Sequence, residues 1–121
     1  MAKILIVDDE EVICDLIVMV LEPEGHELLI QTEGSGVVEL VREEKPDLIL
    51  LDIMLPGVDG YTIQNTLSED LELKKIPIIM MTAKSKMEDV FKTAPNVSSF
   101  ISKPFSVHEL TEKVNSALKS R

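Results

Sequence analysis

This chain of 121 residues has a single cysteine, Cys14, which excludes an internal disulfide. No apolar run approaches the roughly 18 residues needed to span a bilayer, and no secretory signal pattern opens the sequence, so the expectation is a cytoplasmic protein without membrane contact. Cationic residues are scarce: 12 Lys and Arg stand against 22 Asp and Glu, a formal net charge of −10 spread along the chain. Such a domain is repelled by nucleic acid and anionic membranes, which leaves proteins and cations as expected partners. Internal repeats, linkers and low-complexity tracts are also missing. One domain over residues 1–121 follows, and 45% apolar residues suffice for its core.

Apolar periodicity alternates between strand and helix. Ala2 to Val7 is a nearly unbroken apolar run. Ile13, Leu16, Ile17, Val20 and Leu21 then recur at helical spacing until Glu22-Pro23 ends the pattern. Glu27 to Gln31 reads as a second strand, Ser35 to Glu44 as a second helix and Asp47 to Leu51 as a third strand. After the Pro56-Gly57 turn come a helix over Tyr61–Leu67, a strand over Ile76–Met81 and a helix over 84–93. A strand over Ser98–Ser102 and a helix over Ser106–Lys119 complete the series. Five such units predict an α/β fold, a (βα)5 doubly wound parallel five-stranded sheet covered by helices on both faces. The runs KILIV, LILL and IIMM are apolar at successive positions, as doubly covered strands must be, whereas ELLIQ and SFIS are more polar and belong at the edges. Right-handed crossovers then give the order 2-1-3-4-5, the flavodoxin-like arrangement, with its switch point between strands one and three.

Polar residues sit where these strands end: Asp8 and Asp9, Asp52, Thr82 and Lys103. In an open parallel sheet the carboxyl ends share one edge, so the five converge on one acidic pocket with a hydroxyl and an ammonium. Each has an ordinary structural reading. Asp8 and Asp9 before Glu10 and Glu11 suit a helix start, Asp52 an Asx turn, Thr82 a strand end, and Lys103 a solvated loop. Together they make a different case. Two carboxylates about 4 Å apart repel by about 4 kcal/mol at an effective dielectric of about 20, and one lysine cannot neutralise three. A hard cation with oxygen ligands is the natural complement.

The motifs ILIVDDE at Ile4 to Glu10, PDLILLDIMLPGVDG at Pro46 to Gly60, the IPIIMMTAK stretch over 76–84 and FISKPF at Phe100 to Phe105 fall in an order and spacing that closely resembles the receiver domain of two-component response regulators. The resemblance implies that Asp52 is the phosphoacceptor. It further implies that Asp9, Asp52 and the backbone carbonyl of Met54 bind Mg²⁺ with help from Asp8, while Thr82 and Lys103 grip the phosphoryl oxygens. The donor would be a phosphohistidine on a sensor histidine kinase or histidine phosphotransfer protein. Thr82 and Phe100 would then relay the change to the face of the fourth helix, fifth strand and fifth helix, which signals to a downstream effector protein or domain. Phe100, lacking a hydroxyl, is expected to favour the inward position. The implied role is a signalling phosphoacceptor with self-phosphorylation and autodephosphorylation, not a turnover enzyme.

Departures from the family pattern lie before the fifth strand, where residues 93–97 read Thr-Ala-Pro-Asn-Val in place of an Ala-Gly-Ala-Asp-like turn. The fourth helix should therefore end early. The chain is expected to be a stand-alone receiver or the receiver of a longer regulator. Two other classes compete. A small Mg²⁺-dependent phosphatase would need a second acid soon after the nucleophile, where Ile53, Met54 and Leu55 stand; a receiver-like interaction module that is never phosphorylated would lack an acid or the lysine, and none is missing. Cys14 and the Met80-Met81 pair read as packing. His26 and His108 have no neighbours at metal-ligand spacing, and Gly34-x-Gly36 lacks the context of a dinucleotide fingerprint.

Overall fold

The computed structural model describes residues 2–82 and 94–120. Its elements in chain order are β1 (Lys3–Val7), α1 (Glu11–Leu21), β2 (Glu27–Gln31), α2 (Val37–Glu44), β3 (Leu48–Asp52), α3 (Gly60–Ser68), β4 (Ile78–Thr82), β5 (Val97–Ser102) and α4 (Val107–Ser120). The expected helix over residues 84–93 lies outside the described residues. All strand pairs are parallel, and the sheet order is β2-β1-β3-β4-β5. β3 and β4 are buried at every position, while β2 has only exposed and partly buried residues. The apolar runs therefore sit inside and the polar strands at the edges, as doubly covered strands require.

Alternation along the strands builds two cores. Ile4 and Ile6, Leu48 and Leu50, Ile79 and Met81, with Ile101, face α1 and α4, where Cys14, Ile17, Leu21, Leu110, Val114 and Ala117 meet them. Leu5 and Val7, Ile49 and Leu51, Ile78 and Met80 face the opposite way, onto Val37 and Val41 of α2 and Ile63 and Leu67 of α3.

Element ends depart from the sequence reading for local reasons. α2 begins at Val37 and not Ser35 because Gly36 adopts a left-handed φ of 84°. β4 begins at Ile78 and not Ile76, since Ile76 closes a 3-10 turn over Leu73–Lys75 and Pro77 has no N–H to donate. α4 begins at Val107 because the Ser106 hydroxyl stands outside it, accepting a hydrogen bond from the Glu109 N–H at 3.0 Å. α3 begins at Gly60, capped by the Asp59 carboxylate, which accepts from the Thr62 N–H at 2.8 Å.

Register brings the functional edge together. Val7 pairs with Leu51, Asp52 with Met81, and Thr82 with Ser102. Asp8, Asp52, Thr82 and Lys103 thus emerge side by side. Gly60 lets α3 come in against the end of β3, since a Cβ there would collide with the Asp52 carbonyl.

Candidate functional site

Asp8 is the buried anchor of the site, with no exposed surface. Its N–H continues the sheet by donating to the Gln31 carbonyl at 3.1 Å, and its carbonyl accepts the Cys14 thiol at 3.3 Å. One carboxylate oxygen, Oδ1, accepts the Glu10 N–H at 2.8 Å. The other, Oδ2, is buried and has Lys103 Nζ at 2.7 Å as its only partner among the described residues.

Asp52 closes β3 and is 5% exposed. Its Oδ1 accepts the Met54 N–H at 3.3 Å, and its Oδ2 lies 3.3 Å from Lys103 Nζ. Burial first, and then the charge of Asp8, push its carboxyl up from 3.8 to about 6, against the opposing pull of Lys103. The group therefore remains mainly ionised at neutral pH. Thr82, the last residue of β4, is also buried, and its carbonyl accepts the Lys103 N–H at 2.7 Å, which fixes the lysine backbone beside it. The following Lys103–Pro104 peptide bond is cis.

Lys103 stands at the centre. Besides Asp8 and Asp52, its ammonium reaches Glu10 Oε1 at 3.0 Å, and its side chain is only 11% exposed. Burial alone would lower its pKa, but contacts with Asp8 and Glu10 and the charge of Asp52 together raise it above the ordinary lysine range. Its charge is secure at any physiological pH. Asp9, Glu10, Asp52, Met54 and Lys103 line an open cleft above this cluster.

Asp8 and Asp52 both contact the Lys103 ammonium, Thr82 joins them through its backbone carbonyl on the Lys103 N–H, and Asp9 lines the cleft from an exposed position. The carboxylates that approach one another, however, are Asp8, Glu10 and Asp52, whose oxygens lie within 4.8 Å, and not the expected Asp8, Asp9 and Asp52. Glu10 was read from sequence only as part of a helix start. The signal available was its place two residues after Asp8, where an Asx-type turn folds it back over the strand end. Phe100 on β5 is partly buried against the α2/α3 core, and its carbonyl accepts a hydrogen bond from Lys113 of α4.

Three carboxylates against one ammonium leave two negative charges uncompensated, and a buried Asp8 oxygen has no other partner among the described residues. An all-oxygen donor set with surplus negative charge fits a hard divalent cation. Fold and site thus define a doubly wound domain with an acidic, lysine-centred cleft at the switch point of its sheet.

Comparison with known proteins assigns the family. Residues 4–115 match the model of the response regulator receiver domain, and the chain belongs to that family. Over 98% of its length it superposes on a response-regulator candidate from Chloroflexus aurantiacus, with a TM-score of 0.89, 28% identity and 98% of that chain covered. The receiver domain of NtrX from Brucella abortus gives a TM-score of 0.85 at 29% identity, with 98% and 99% of the two chains covered. In the longer NtrX chain the match spans 27%. CheY4 of Vibrio cholerae, a chemotaxis response regulator, shares the fold with a TM-score of 0.88 at 24% identity over 98% of this chain and 99% of its own. Among the described residues, no helix is long and apolar enough to cross a membrane.

Proposed function

We propose that this domain accepts a phosphoryl group on Asp52 from a phosphohistidine of a sensor histidine kinase or histidine phosphotransfer protein, acting as a signalling phosphoacceptor and not as a turnover enzyme. The observation that carries this reading is the placement of Asp52. It is the strand-end carboxylate that is nearly buried, opens onto the cleft, and has an ammonium 3.3 Å from one oxygen.

Attack by a carboxylate oxygen of Asp52 forms the new O–P bond as the P–N bond of the donor breaks, and the imidazole leaves with that electron pair. Lys103 would offer N–H donors to the phosphoryl oxygens, with the Thr82 hydroxyl at the end of β4 as the second donor. Asp9, Asp52 and the Met54 carbonyl, with Asp8 behind them, would hold Mg²⁺. Bound there, the ion would offset charge on the phosphoryl group as it transfers. Met54 supports the assignment because it lines the cleft and its N–H already holds the nucleophile.

Output would pass through Thr82 and Phe100 to the face that includes β5 and α4, and from there to an effector protein or domain. The partly buried Phe100 ring suits the inward position expected of a residue with no hydroxyl to satisfy.

Incubation with a small acyl phosphate donor and Mg²⁺ should add one phosphoryl group, labile to hydroxylamine, as measured by intact mass. Asp52→Asn should remove it. Unaltered labelling of that variant, or stable label on Ser, Thr or His, overturns the assignment.

A further inference from the structure

The Lys103 ammonium lies within ion-pair distance of three carboxylates, Asp8 at 2.7 Å, Glu10 at 3.0 Å and Asp52 at 3.3 Å, and it donates a hydrogen bond to Glu10. An incoming anion must therefore compete with carboxylates already seated on the lysine. One of the three carboxylates must let go, and they are not equal. Asp8 is wholly buried and also holds the Glu10 N–H, so leaving Lys103 would strand a buried charge. Asp52 carries the reaction. The Glu10 side chain is 59% exposed and can return its carboxylate to water at little cost.

From this we infer that Glu10 is a positioning residue: a placeholder that holds Lys103 over Asp52 in the resting protein and surrenders its place on the ammonium to a phosphoryl oxygen. The inference rests on the reading of Asp52 as phosphoacceptor and adds a competitor built into the chain. Two features support it. Glu10 lines the cleft together with Asp52 and Lys103, so its carboxylate lies where an anion must enter. Its backbone is pinned by Asp8 at 2.8 Å, so the side chain alone needs to move.

The test is the affinity of the phosphoryl analogue beryllofluoride, measured by calorimetry at saturating Mg²⁺, with Mg²⁺ affinity measured separately. Glu10→Gln should tighten analogue binding about two- to fivefold at saturating Mg²⁺, the range that a partly exposed ion pair supports. Damage to the fold would weaken binding, so a gain separates the proposal from a structural defect. Glu11→Gln removes the same charge from an exposed neighbour and should give no gain. Unchanged or weaker analogue binding in Glu10→Gln, or an equal gain in Glu11→Gln, overturns the inference. So does a tenfold loss of Mg²⁺ affinity in Glu10→Gln, which would make Glu10 a cation ligand instead. If the parent protein binds no beryllofluoride, or Asp52→Asn binds it equally well, the phosphoacceptor reading itself fails.

Discussion

Asp52 is held where its charged form is disfavoured, which makes the stability of the fold depend on pH. Its carboxyl titrates near 3.8 when unfolded and near 6 when folded, so between those values the folded protein binds the additional proton. Stability must fall as pH rises through that window, and the penalty is complete above about pH 6. A shift of this size corresponds to roughly 1–3 kcal/mol. Asp52→Asn removes the titration, so with chelator present it should be more stable than the parent by that amount at pH 7, with the advantage fading toward pH 4. Urea melts across pH 4 to 7 decide the matter, and parallel curves for the two proteins would refute it. Cys14 is affected by the same neighbourhood: burial, then the charge of Asp8, lift its thiol to about 11, consistent with packing and not chemistry.

At the scale of elements, α3 is fastened to the turn that enters β5 by two side chains that hydrophobic patterning does not predict. Gln64 Nε2 donates to Asn96 Oδ1 at 2.9 Å, and Asn96 Nδ2 donates back to the Gln64 carbonyl at 3.1 Å. The Asn96 carbonyl accepts the Ile78 N–H at 2.9 Å, which adds the start of β4 to the clamp. Both side chains are 4% exposed, so Asn96→Ala should leave buried amide groups unpaired and cost about 1–3 kcal/mol. Combined with Gln64→Leu, the total loss should be smaller than the sum of the single losses, as a double-mutant cycle in urea would show; strict additivity would mean the pair is not coupled. Sequence reading found the strands because burial on both faces makes β1, β3 and β4 continuous apolar runs, and it found the pocket because strand ends share an edge. It missed this clamp because the partners lie 32 residues apart. The one local hint was a Gln at a buried helical position between Ile63 and Leu67. Glu10 was missed for a related reason: β-alternation orders side chains only while the strand lasts, and the chain turns after Val7. Residues 93–97 stand out in sequence for departing from an Ala-Gly-Ala-Asp-like turn, whereas the described part supplies an amide that ties three elements together.

For the whole molecule, a net charge of −10 means that added cations of any kind relieve repulsion, so stabilisation by Mg²⁺ is informative only if it is site-specific. In about 0.15 M monovalent salt the screening length is about 8 Å, and general surface repulsion is already damped. The cluster around Asp8 and Asp52 is largely buried and escapes most of that damping. Mg²⁺ that binds the native state alone should therefore still stabilise the protein, by about 2.7 kcal/mol at one hundred times its dissociation constant. For a domain of this size that amounts to roughly 10 °C in the melting midpoint. Thermal melts in constant monovalent salt, with millimolar Mg²⁺ or with chelator, measure it. The comparison must be of the Mg²⁺-induced shift and not of the midpoint, because removing Asp52 raises the baseline by itself. Asp9→Ala combined with Asp52→Ala should abolish the shift, whereas Glu11→Gln, which takes one charge from the open surface, should leave it intact. A shift that survives the double substitution would place the effect on the charge of the whole surface and not on the cleft.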